Sequence, residues 1–83
     1  MSRFLVELRR PDEGWGEVRA AADEARRAAA ELRAAGVPVR FHRSVYVPED
    51  DACFFLFEGP SAADVARAAD APRTRVTSVE KVL

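Results

Sequence analysis

The run Ala52 to Glu58 reads ACFFLFE, and both of its parities are apolar: Cys53, Phe55 and Phe57 on one, Ala52, Phe54 and Leu56 on the other. Successive side chains of a strand point to opposite sides, so such a run is a central strand of a sheet covered on both faces. That is demanding for a chain of 83 residues. A domain this short buries only roughly 60–65% of its unfolded surface. Its single cysteine cannot form an internal disulfide and its single histidine cannot form a zinc finger. Oligomerisation is the remaining support for a small scaffold, so a homodimer is expected.

The other elements follow from period and punctuation. Phe4, Val6 and Leu8 alternate with Leu5 and Glu7, which predicts a first strand. Pro11 to Gly16 is turn chemistry and ends it. Trp15 in that turn is read as a plug on the helix end or a lid over the sheet. From Glu17 to Ala35, Val18, Ala21, Ala22, Ala25, Ala28, Ala29 and Leu32 recur at helical spacing. The stripe is mostly alanine, so the helix should lie close to what it covers. Asp23 and Arg27 are spaced as an i,i+4 ion pair. Gly36 and Pro38 stop the helix.

Val39 to Val47 predicts a second strand, with Val39, Phe41, Val45 and Val47 sharing a parity with Arg43, and Arg40, His42, Ser44 and Tyr46 on the other. Pro48 to Asp51 is a hairpin loop. Ser61 followed by Asp64 resembles a capping box for a short helix carrying Val65, Ala66 and Ala69, which stops at Asp70-Ala71-Pro72. Arg75 to Leu83 predicts a last strand whose imperfect alternation signals a bulge or an edge position.

The order β-α-β-β-α-β is the ferredoxin-like arrangement, an α+β fold in a single domain spanning 1–83. Right-handed crossovers place both helices on one face of a four-stranded antiparallel sheet, with strands one and three central. Pairing Val47 with Ala52 sets His42 against Phe57, Ser44 against Phe55 and Tyr46 against Cys53, all expected on the helix-free face. Two copies packed through that face would form a dimeric α/β barrel, hiding apolar surface worth roughly 25 cal/mol per Å². The enclosed cavity would be lined by Leu5, Glu7, Arg40, His42, Ser44, Tyr46, Cys53, Phe55 and Phe57. Arg43 does not fit this register: it either snorkels at the edge or marks a bulge that reverses parity.

Within that cavity His42 is the residue whose type has an unperturbed pKa near neutrality, and it is the candidate general base. Glu7 is placed to orient it or to bind a metal ion beside it. Tyr46 and Ser44 are candidate donors to a bound oxygen, and Arg40 is a candidate anion holder. Plainer readings stand next to these: His42 as a satisfied edge-strand residue and Glu7 as a surface charge. Cys53 has apolar neighbours, which favour an inert buried thiol over a nucleophile.

Composition excludes several classes. Thirteen basic residues against 14 acidic give a net charge of −1, which lacks the basic excess of a nucleic-acid binder. The Cys53–Phe57 aromatics lack the glycines and leading basic residue of an RNA-recognition motif. No apolar run reaches the ~18 residues of a membrane span, and the start is not a signal peptide. A cytoplasmic protein is expected.

Phe4-Leu5-Val6-Glu7, Ser44 through Val47 with its acidic hairpin, and Cys53-Phe54-Phe55-Leu56-Phe57-Glu58-Gly59-Pro60-Ser61 resemble a family of small bacterial proteins of unknown function that includes a nickel-binding member. Ala69 to Pro72 and Val76 to Val79 resemble that family's closing helix and strand. The resemblance implies the same fold and a face-to-face dimer. The nickel-binding member uses histidines flanking the serine that Ser44 matches. Here those positions are Arg43 and Val45, and the lone histidine is His42, which with Glu7 makes a sparse site for nickel or another divalent metal.

Three functions are compatible with these residues. One is a dimeric binding protein holding a small molecule or metal ion between two sheets. Another is a cofactor-free isomerase, cyclase or monooxygenase acting on an aromatic or polyketide-like substrate. The last is a ligand-free structural dimer.

Overall fold

A computed structural model describes residues 2–8, 15–47, 49, 52–71 and 73–79. The elements are β1 (Ser2–Leu8), α1 (Trp15–Ala34), β2 (Arg40–Val47), β3 (Ala52–Gly59), α2 (Ala62–Ala69) and β4 (Val76–Val79), with a 3₁₀ turn at Arg73–Arg75 before β4. The four strands lie in the order β2-β3-β1-β4, and every neighbouring pair is antiparallel. This is the ferredoxin-like α+β fold, with β1 and β3 central as the apolar β3 run requires. Residues 9–14, with most of the expected Pro11–Gly16 turn, Pro48, Asp50, Asp51, Pro72 and residues 80–83 fall outside the described residues, while Trp15 and Gly16, expected in that turn, already belong to α1. β4 lies at the sheet edge, and over its described residues it keeps an unbroken register with β1 from Val6↔Val76 to Arg3↔Val79.

The helices cover one face. Val18, Ala22, Ala25 and Ala29 of α1 are buried together with Val65, Ala66 and Ala68 of α2 against Phe4, Val6, Cys53, Phe55 and Phe57 of the sheet. The alanine stripe permits a close approach, and at Gly59 there is no room for a side chain. A Cβ there would stand 3.0 Å from Val65 Cγ2 and 3.4 Å from Val39 Cγ2.

Local chemistry ends each helix where the sequence indicates. Gly36 takes the left-handed conformation at φ 93°. Its N–H donates to Arg33 O at 3.0 Å while Val37 N–H donates to Leu32 O at 2.8 Å, which is the Schellman pattern. Arg33 Nη1 then donates to Val39 O at 2.8 Å, tying the helix end to the entry of β2. In α2, Ser61 Oγ accepts from Asp64 N at 3.2 Å and donates to the Asp64 carboxylate at 3.0 Å. Asp70 closes α2 in the left-handed region at φ 51°. On α1 the expected Asp23–Arg27 pair is replaced by i,i+3 pairs, Asp23 with Arg26 at 3.2 Å and Glu24 with Arg27 at 2.8 Å.

Candidate functional site

Directly opposed residues of an antiparallel pair point to the same side of the sheet. Phe4 pairs with Phe57 and Val6 with Phe55, and all four belong to the core beneath the helices. The alternate residues, Leu5 and Glu7 of β1 and Phe54, Leu56 and Glu58 of β3, therefore face away from the helices. No described element lies over this open face.

A β-bulge decides what β2 adds to it. Val47 pairs with Ala52, Tyr46 with Cys53, Ser44 with Phe55 and Arg43 with Leu56; the register then shifts, and Phe41 pairs with Phe57. His42 is the extra residue. Phe41 lies on the helix side, its ring 5.1 Å from Phe55 and 5.3 Å from Phe57, with the Arg26 guanidinium 4.9 Å above it. His42 and Arg43 both reach the open face, and every residue after them has its parity reversed.

Several expected lining residues lie on the helix side instead. Cys53, Phe55 and Phe57 are 5%, 2% and 0% exposed and belong to the core, not to an open cavity. Ser44 and Tyr46, opposite Phe55 and Cys53, share the helix-side face with them. His42 does not oppose Phe57. Two physical reasons apply: pairing with β1 sets Phe57 against Phe4 and Phe55 against Val6 beneath the helices, and in β2 one inserted residue rotates the strand by one side-chain step, so its polar parity is continuous in sequence but not in space. Leu5, Glu7, Arg40 and His42 stay on the open face as expected, joined there by Arg3, Arg43, Val45, Val47, Phe54, Leu56 and Glu58.

The register arranges these residues in rows across the sheet. One row runs Arg40, Glu58, Arg3, Val79; the next runs Arg43, Leu56, Leu5, Thr77; the next Val45, Phe54, Glu7. His42 Nε2 lies 3.2 Å from Glu58 Oε1 and donates to it in the tautomer protonated there. The side chains are 37% and 26% exposed, so the pair is open to solvent. Glu7 is not the partner of His42. It sits four residues along β1 from Arg3, about 13 Å down the strand from the row of Glu58. The partner is Glu58, which sequence reasoning did not select; the charged Arg43 on an otherwise apolar parity was the available signal that β2 shifts register.

The chemistry at hand is an imidazole held by a carboxylate beside an apolar floor, the arrangement that keeps one ring nitrogen available as a proton acceptor. Among the described residues no three His, Cys, Asp or Glu side chains gather to hold a metal ion. Burial pushes the Cys53 thiol up from its ordinary range, against a smaller opposing effect from the Phe54 backbone N–H. A neutral, buried thiol is inert. On the opposite side, a crevice of about 470 Å³ separates α1 from α2, floored by Leu8 and Phe55, walled by Ala21 and Ala25, with Glu24 and Arg67 at its mouth.

No family model, no curated protein and no solved structure matches this chain. Among the described residues, no helix is long and apolar enough to cross a membrane.

Proposed function

We propose that the chain is a homodimeric binding protein that holds a small molecule between two copies of its open sheet face. The observation that carries this reading is the stripe Leu5, Val45, Val47, Phe54 and Leu56, which no described element covers. Extents of 35 × 30 × 19 Å fit one sheet layer and one helix layer. The broad face is large enough for the about 800 Å² per partner of a standard interface. Packing it on a copy of itself removes the apolar stripe from water and leaves the polar rows of Arg40, His42 and Glu58 around the enclosed space.

Sedimentation velocity of tag-free protein at micromolar concentration tests the reading. A dimer is expected, with Leu56→Glu giving folded monomers. A monomeric wild-type protein overturns it. Two copies also bring two His42–Glu58 pairs, so a metal-ion version of the same site needs donors from both protomers. Nickel calorimetry on wild type and His42→Ala tests that version, and absence of heat removes it.

The His42–Glu58 pair also favours a second reading, as one part of a cofactor-free acid–base centre. Tyr46, on the helix side, does not join it. His42 as base with Arg40 or Arg43 beside a developing oxyanion is what this version retains. A wild-type dimer whose turnover of an aromatic or polyketide-like substrate is unchanged by His42→Ala rules it out.

A further inference from the structure

Charge on the open face selects among ligands. Arg3, Arg40 and Arg43 are exposed there, against two carboxylates, Glu7 and Glu58. Among the described residues these three arginines form no salt bridge, whereas Arg26, Arg27 and Arg67 on the helices each have a carboxylate partner. Glu58 is engaged by His42. With the imidazole counted as neutral, the described residues of the face therefore carry one more positive than negative charge.

A two-fold interface presents the same patch twice. Pairing the face with its copy doubles the excess instead of cancelling it. Even if every described carboxylate of the face on both copies met an arginine, two of its described guanidinium groups would remain without a counter-charge. They would stand beside the apolar floor of Leu5, Leu56 and Phe54. Desolvating unpaired charge is costly, and a guanidinium fork matches a carboxylate or a similar oxyanion in geometry. We infer that the site takes an anionic ligand with an apolar body, such as an aromatic or aliphatic carboxylate. The same arithmetic disfavours a free divalent cation. This inference rests on the dimeric binding reading above.

Two fluorescent probes with one ring framework test it: 8-anilinonaphthalene-1-sulfonate, which is anionic, and N-phenyl-1-naphthylamine, which is neutral. Titrations of the tag-free protein at low salt should show the sulfonate binding at least about tenfold more tightly, the scale of one hydrogen bond to a charged group. The double variant R40Q/R43Q should lose that preference, keep its affinity for the neutral probe and remain dimeric in sedimentation. Equal binding of the two probes, binding of neither, or a preference that survives in R40Q/R43Q overturns the inference while a dimeric wild type leaves the assembly itself intact. A monomeric wild type instead removes the reading on which the inference rests.

Discussion

His42 Nε2 stands 3.2 Å from Glu58 Oε1 at the point where a single additional residue shifts the register of β2. Both side chains are substantially exposed. A double-mutant cycle on His42→Ala and Glu58→Gln, followed by urea denaturation at a protein concentration where only monomer sediments, should give a coupling of about 0.2–1 kcal/mol. A coupling above about 2 kcal/mol would mean that the pair is desolvated even without a partner chain.

Phe54 and Phe55 are neighbours in sequence with opposite duties. Phe55 is 2% exposed and makes edge contacts with Phe41 at 5.1 Å and Phe57 at 6.4 Å. Phe55→Ala should cost about 3–5 kcal/mol, enough to unfold most of a domain this small, seen as loss of the cooperative circular-dichroism melt. Phe54→Ala lies on the open face. Its main effect should be weaker self-association in sedimentation, with the melt of the dissociated protein lowered far less. Equal loss of fold in the two variants would contradict the assigned faces.

These two phenylalanines also show what the sequence does and does not encode. Element order, the central place of β3 and the alanine face of α1 depend on local period and on caps such as Gly36 and Ser61, and those are written in consecutive residues. The face of each β3 parity is a different kind of fact. Both parities are apolar, so composition cannot tell which one lies beneath the helices. That is decided by pairing with β1, where Phe57 meets Phe4. The bulge is less legible still. His42 carries no glycine or proline to mark it, and only the misplaced charge of Arg43 hints at a shifted register. The His42–Glu58 contact joins residues 16 apart through that shift, so it could not be read from spacing.

Gly59 is required for space rather than for backbone freedom. An added Cβ would meet Val65 Cγ2 at 3.0 Å and Val39 Cγ2 at 3.4 Å, and both valines are fully buried. Neither can move without displacing α2 or the entry to β2. Gly59→Ala should therefore destabilise by about 1–3 kcal/mol, the usual cost of overpacking. Urea denaturation checks the value. The paired variant Gly59→Ala with Val65→Ala should lose less than the sum of its two single variants, and strict additivity would mean that the clash lies elsewhere.

Cys53 gives the fold an alkaline limit. Burial raises its thiol pKa above the ordinary range in the native state, while in the unfolded chain the thiol titrates normally. Below the ordinary thiol range both states hold the proton and the full stability is present. As pH rises past that range, the unfolded chain releases its proton first, so it binds fewer protons than the native state and stability falls with pH until the raised native value is passed. Cys53→Ala removes the titrating group, at the cost of some packing at all pH values. Urea midpoints measured at fixed protein concentration from neutral pH into the alkaline range should therefore decline more steeply for the wild type than for Cys53→Ala. Parallel curves would show that the thiol is accessible to water in the native state, and with it that β3 does not present Cys53 to the helix-covered core.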